Sequence, residues 1–250
     1  MKFLFSIAIV FVYVQATAQS SFIDYQHNFP RVADAMSRKV DTLKKQFDAA
    51  GLQWPAKQIY IRSFKYDRVM EVWVRNSTNE QFKLFKIYPV CALAGTMGPK
   101  RMEGDYQVPE GFYYINEFKP NSLYHLSLGL NYPNASDKIV SNNVNPGGDI
   151  YIHGNCVTIG CIPIRDPQIE ELYILAMSAK SNGEDFIPVH IFPVRFNDPK
   201  SMDYFNKVTK DQPDVQQFAA KLKEVYDYFE KEKKLPVISI NPKGSYEILN

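Results

Sequence analysis

The sequence predicts an α+β fold with a β-rich centre, and three observations carry that prediction. Apolar residues recur at helical spacing before residue 58, then at every second position over most of the stretch to about residue 194. Helical spacing returns within that stretch and again after it. Gly, Pro, Asn and Asp cluster between the short β-like runs, as turns between strands require.

The elements follow in order. Met1-Lys2 and the apolar run Phe3 to Val14, closed by Ala16-Thr17-Ala18, fit a secretory leader over residues 1–18, with Gln19 as the mature N-terminus. The apolar run is short for a bilayer span, so no stable membrane insertion is expected after cleavage. Residues 19–56 form an N-terminal helical segment, in which Val32, Met36, Val40, Leu43, Phe47 and Ala50 make one stripe ended by Gly51. Residues 57–196 form the main domain. Its strands are expected at Ile59 to Phe64, Val69 to Val74, Phe82 to Leu93, Gly111 to Asn116, Tyr124 to Leu130, Asp149 to His153 and Val189 to Val194. A helix is expected at Pro167 to Ser181. Residues 197–250 form a C-terminal cap, with a helix at Val215 to Lys234 and a β-like Val237 to Ile240.

Composition narrows the function classes. The formal net charge is +2 and falls by one when Lys2 leaves with the leader, so no nucleic-acid surface is implied. Three cysteines in an exported chain are too few for a disulfide scaffold, and an odd count leaves at least one thiol over.

The stretch from Tyr151 to Ile164 gives that thiol a use. It sets His153, Cys156 and Cys161 within nine residues, with Gly154 and Gly160 at the turns. A thiol becomes a strong nucleophile when a base takes its proton and backbone N–H groups receive the developing oxyanion. Cys161 is the candidate nucleophile and His153 the base. The N–H groups of Gly160 and Cys161 are the candidate oxyanion donors. Cys156 is either a small buried residue or a disulfide partner of Cys161. A metal site built on His153, Cys156 and Cys161 lacks a clear fourth ligand, so no metal and no cofactor are expected. Cys91, in an apolar run, reads as core. Two long turn-rich stretches, Gly95 to Gly111 and Tyr132 to Gly148, lead toward this motif.

Several of these landmarks occur together in a known order. Gly98-Pro-Lys100, Glu103-Gly-Asp105, Pro109-Glu-Gly-Phe-Tyr113, Tyr132-Pro-Asn134, His153-Gly154 and Gly160-Cys161 resemble the L,D-transpeptidase catalytic-domain (YkuD-like) family, and within it the YafK-like branch. The resemblance covers roughly Leu52 to Val194. It implies a mostly β, sandwich-like core, the nucleophile at Cys161, the base at His153, and the Gly154 carbonyl as the group that orients the imidazole. It also implies peptidoglycan stem peptides as the partner. Two departures stand out: the link between histidine and cysteine is short, with Ile159 where many members carry a histidine, and Pro163 stands just after the cysteine. The substrate contacts are therefore not carried over.

Lys100, Arg101 and Arg165 are the cations nearest the motifs, and one of them could clamp a substrate carboxylate; each could equally be plain surface charge. His125, on an alternating run, could line the cleft or could pack or face solvent. The expected function is an exported cysteine acyl-transfer enzyme of the cell envelope or periplasm. The alternatives are an L,D-specific hydrolase of the same family and a catalytically silent wall-binding module.

Overall fold

The computed structural model describes residues 22–141 and 144–249. The leader expected at 1–18 lies outside them. Among the described residues no helix is long and apolar enough to cross a membrane.

Helix α1 (Pro30–Ala49) begins on a proline at its first position, where the missing N–H has no intrahelical use. It turns Val32, Ala35, Leu43 and Phe47 inward. Eight strands then join in one mixed sheet: β1 (Gln58–Phe64), β2 (Val69–Arg75), β3 (Lys83–Pro89), β4 (Gly111–Lys119), β5 (Ser127–Leu130), β6 (Tyr151–His153), β7 (Ile162–Pro163) and β8 (Pro188–Phe192). Their spatial order is β3-β2-β1-β8-β4-β5-β6-β7. The β1–β8 and β6–β7 pairs are parallel and the rest antiparallel. Short α2 (Ala135–Val140) sits between β5 and β6, and α3 (Asp166–Ser181) between β7 and β8.

The α+β class expected from the sequence is the one observed. Its sandwich-like character comes from β4, which serves two sheet halves. Gly111 to Tyr114 pair with β8, and Ile115 to Lys119 pair with β5, across a register shift between Ile115 and Glu117. A bulge at that point bends the strand and lets one chain segment belong to both halves.

Three strands are shorter than their sequence patterns, each for a local reason. β3 stops at Pro89 because the next residues change partner: the Val90 N–H donates to the Arg68 carbonyl and the Cys91 N–H to that of Pro163. β5 starts at Ser127 because His125 has φ +71°, and β6 starts at Tyr151 because Asp149 has φ +55°. Two helices go beyond those expected, α2 and α4 (Pro199–Val208): α2 has six residues, too few for a stripe, and α4 buries only Ser201 and Phe205 of its ten. Each is opened by a side-chain cap: Asn134 accepts from Asp137 N–H, and Asp198 from Ser201 N–H.

The main core lies where α1 and α3 cover the sheet. α3 is buried almost all round, from Ile169 to Ala179, which explains its apolar run from Leu172 to Met177. A second core forms under the C-terminal elements α5 (Pro213–Glu232) and the hairpin β9 (Val237–Ile240) with β10 (Tyr246–Leu249). Here α5 lays Leu222 and Tyr226 against strand residues, and in a third, aromatic cluster Phe229 packs edge-on to Trp73 and tilted against Tyr60.

Phe229 is fully buried in that aromatic cluster. Phe229→Ala is expected to lower the unfolding free energy by about 3–5 kcal/mol. Denaturant unfolding followed by Trp fluorescence checks this; a loss under about 1 kcal/mol would show that α5 does not depend on the cluster.

Candidate active site

The site lies at one end of the sheet. β6 carries His153, and the turn after residue 154 returns the chain to β7, with Ile152 opposite Ile162 and His153 opposite Pro163. Cys161 thus stands two residues before the partner of His153, on the same side of the ribbon by the period-two rule. Its Sγ receives the Tyr151 N–H at 3.4 Å and donates to the Asp149 carbonyl at 3.5 Å.

His153 is 1 % exposed, and its ring lies against that of Tyr124 at 4.6 Å between centroids. Its Nδ1 is 2.5 Å from the Gly154 carbonyl. A carbonyl only accepts, so this contact puts the proton on Nδ1 and leaves Nε2 as the basic nitrogen. Burial lowers the proton affinity of the imidazole, and the bond to Gly154 partly restores it. Burial raises the Cys161 thiol above its ordinary range; the Tyr151 N–H and Lys119 act against this, and the nearby Asp149 adds to it. The resting pair is therefore a neutral thiol and a neutral imidazole.

The glycines are needed for fit. Gly160 has φ +150°, and a Cβ there would lie 3.3 Å from the Gln107 carbonyl. A Cβ on Gly154 would lie 2.5 Å from an Asp166 carboxylate oxygen and 2.9 Å from the Tyr124 carbonyl. The same Asp166 oxygen accepts the Asn155 N–H at 2.8 Å and so fixes the start of the turn.

The expectation for the oxyanion donors needs correction. The Gly160 N–H donates to Thr158 Oγ1 at 3.0 Å, and that hydroxyl donates to the Cys161 carbonyl at 2.7 Å. The turn consumes one of the two expected donors, so the Cys161 N–H is the remaining one.

The cysteines also differ from expectation. Cys156 forms a disulfide with Cys91, with Cα atoms 5.5 Å apart, and Cys161 is the free thiol among the described residues. Cys91 is half-buried and not core, because its N–H is bonded to the Pro163 carbonyl and carries it alongside β7. A disulfide sulfur is no thiolate ligand, which removes the His153–Cys156–Cys161 metal arrangement. No group of three or more His, Cys, Asp or Glu among the described residues could hold a metal ion.

Both long loops reach the thiol. A cavity of 260 Å³ beside Cys161 is walled by Lys100, Glu103, Gly104 and Tyr106 from one and Gly147 to Ile150 from the other, with Ile159 and Gly160 beside the thiol; His153 does not line it. Glu103 and Asn145 join these loops, the Glu103 N–H donating to the Asn145 carbonyl at 2.8 Å and Asn145 Nδ2 to Glu103 Oε2 at 2.6 Å, while other motif residues brace each loop internally. The Tyr132 hydroxyl donates to the Pro146 carbonyl at 2.9 Å. Asp105 accepts from Lys100 Nζ and from the N–H groups of Arg101, Met102 and Gln107. Burial alone would raise the Asp105 carboxyl, but these bonds hold it below its usual range. A larger cavity, 680 Å³, lies between residues 96–101 and α5 with β10. It contains neither the thiol nor the imidazole, so size does not mark the site.

The three expected substrate contacts are not brought together. Lys100 lines the Cys161 cavity, but its ammonium is bound to Asp105 at 2.5 Å and to the Met102 carbonyl at 2.8 Å. Arg165 is exposed at the start of α3 and does not line that cavity. His125 turns its Nε2 to Glu170 at 2.9 Å, which is also paired with Arg38, so it ties the β5 approach to α3 and α1. Arg101 pairs with Asp137 and faces the larger cavity. Tyr124, Thr158, Asp166 and Gln107 shape the site without any sequence signal, because each acts through a contact made only in the fold.

A profile of the L,D-transpeptidase catalytic domain, YkuD, matches residues 60–191. The chain belongs to this family. It is 34% identical over 184 residues to the "Putative L,D-transpeptidase YafK" of Escherichia coli strain K12, across 73% of this chain and 70% of that protein. The protein of the same name from Escherichia coli O157:H7 matches to the same extent. Among solved structures, the helical cell shape determining protein Pgp2 from Campylobacter jejuni aligns with a TM-score of 0.43 and 18% identity, over 75% of this chain and 76% of that one. Bd1075 from Bdellovibrio bacteriovorus aligns with a TM-score of 0.40 and 24% identity, over 74% and 78%.

Two outcomes follow for this YkuD-family site. Because the thiol is raised, the rate of Cys161 alkylation by iodoacetamide should keep climbing with pH beyond the free-thiol value of about 8.5. A midpoint below about 7 would instead mean a resting thiolate–imidazolium pair. The disulfide spans a sequence separation of 65 residues. The Cys91→Ser/Cys156→Ser variant is expected to lose about 2–4 kcal/mol of stability. Thiol titration of the unfolded, unreduced parent checks the pairing and should find one reactive thiol.

Proposed function

We propose that the protein is an exported cysteine acyl-transfer enzyme acting on peptidoglycan stem peptides, with Cys161 as nucleophile and His153 as base. Family membership carries the coarser statement, an L,D-transpeptidase-type protein of peptidoglycan metabolism. One observation supports the finer one: the Gly154 carbonyl holds the proton of His153 on Nδ1 and leaves Nε2 as the basic nitrogen, on a strand whose partner begins one residue after Cys161.

In the proposed first step Nε2 takes the thiol proton as Sγ bonds to a carbonyl carbon that follows an L-configured centre. The Cys161 N–H receives the oxyanion. The carbon–nitrogen bond then breaks, and the departing amine takes the proton from His153, leaving a thioester on Cys161. An incoming amine that attacks this thioester gives a proton to His153 and forms a new amide as the carbon–sulfur bond breaks and Cys161 takes that proton back, which is transfer. Water in its place gives a carboxylate, which is hydrolysis. Both outcomes share the neutral starting pair, for which a base poised beside an un-ionised thiol is the suitable arrangement. The Cys91–Cys156 disulfide supports export, since such bonds persist in oxidising compartments.

Purified protein incubated with stem peptides, with and without an amine acceptor, tests this by mass spectrometry. The parent should show a thioester adduct, and Cys161→Ala should reduce turnover by at least roughly 10³-fold. Turnover that survives Cys161→Ala would overturn the acyl-enzyme route. New amide only with the acceptor present reports transfer, and carboxylate in both arms reports hydrolysis.

A further inference from the structure

Lys65 and Glu110 form the ion pair most completely withdrawn from solvent, at 1% and 0% exposure, and neither lines the cavity beside Cys161. Lys65 follows the last residue of β1, and its own N–H donates to the Phe192 carbonyl at the end of β8. It is therefore seated on the parallel strands at the sheet centre. Its ammonium has three protons. They are directed at the Gly98 carbonyl at 3.0 Å, the Val108 carbonyl at 2.9 Å and Glu110 Oε1 at 2.9 Å. The same Oε1 accepts the Gly98 N–H at 2.7 Å. Gly98 is thus gripped at both its N–H and its carbonyl.

Gln107 closes the rest of the loop. Its Nε2 donates to the Thr96 and Gly98 carbonyls at 2.8 and 2.6 Å, and its Oε1 accepts the Thr96 N–H at 2.7 Å. The outer edge of this closed loop, from Lys100 to Tyr106, walls the cavity beside Cys161. Its inner edge presses the Gln107 carbonyl toward Gly160, leaving no slack for a side chain there.

Stability alone gives no reason for charges at these two positions, since an apolar pair of similar volume often does as well or better. Nor is the pair fully satisfied, because Glu110 Oε2 is buried without a hydrogen-bond partner. Burial lowers the proton affinity of Lys65, and Glu110 works against that. What the charged pair supplies is direction: bonds to fixed backbone atoms at both ends of one loop.

We propose that Lys65 and Glu110 are positioning residues that set the distance between the 96–108 loop and the Gly160–Cys161 turn, and with it the width of the cavity a peptide must enter. The substrate side of this inference rests on the function proposed above; the loop geometry does not.

The test is the Lys65→Met/Glu110→Leu variant, a neutral pair of similar volume. Its melting temperature should stay within a few degrees of the parent. Amide exchange should accelerate selectively at residues 96–108, and thioester formation should slow by roughly 10- to 100-fold through misplacement of the cavity wall. Alkylation of Cys161 by iodoacetamide, which needs no cavity fit, should be unchanged. Glu110→Gln keeps the accepting oxygen and should restore thioester formation to within about threefold of the parent.

Unchanged exchange at 96–108, or alkylation that falls in step with thioester formation, overturns the proposal. So does a Glu110→Gln variant as impaired as the double variant. If the double variant does not fold, Lys65→Met alone carries the same readouts. A parent protein that forms no thioester at all counts against the proposed function, and exchange at 96–108 still decides the positioning role.

Discussion

β6 and β7 pair over only a few residues at the end of the sheet, and everything near Cys161 depends on how that short parallel contact is held. So few ladder bonds cannot fix a reacting pair to the tolerance that chemistry needs. The fold braces the contact from several sides. The Cys91–Cys156 disulfide ties the turn to the chain that leaves β3. The Asp166 carboxylate holds the Asn155 N–H from the start of α3. The Cys91 N–H extends the edge by bonding to the Pro163 carbonyl. The Gln107 carbonyl closes the far side at Gly160. The braces come from three parts of the chain, around Cys91, Gln107 and Asp166.

Electrostatics divide along the same line. The charged pairs that organise the molecule, Lys65–Glu110 and the Arg62–Glu71 pair among the rings of Phe64, Trp73, Tyr226 and Phe229, are kept away from the thiol. Arg62 also reaches Glu230, so it fastens α5 to β1 and β2 at once. Around Cys161 the direct contacts are the Tyr151 N–H and the Asp149 carbonyl, with the charges of Asp149 and Lys119 acting on the thiol in opposite directions. Burial of both groups opposes the charge separation that proton transfer from a neutral thiol to a neutral imidazole creates. The cations expected to receive a substrate carboxylate are occupied or turned away, and Lys100, the one that reaches the cavity, serves Asp105 first.

Much of the fold was legible in the chain. α1 and α3 announce themselves by their apolar spacing, and the strand runs by alternation and turn residues. The strand ends were not legible, because they depend on φ at His125 and Asp149 and on a change of hydrogen-bond partner after Pro89. α2 was missed because six residues are too few to show a period, and α4 because it buries only Ser201 and Phe205 of its ten. Their caps, Asn134 and Asp198, were the readable trace.

By itself the sequence determined the chemistry that could be present: a histidine and a thiol eight residues apart, glycines at the turns, and one cysteine beyond an even number. Those properties are local, and residue types at short spacing carry them. The tertiary structure decided which cysteine was left over. It also decided which way the imidazole proton faces, that Thr158 occupies the Gly160 N–H, and that His125 and Arg165 lie outside the cavity. Each of these depends on a partner distant in the chain or on the angle of a single turn, and no one-dimensional pattern records where such a partner arrives.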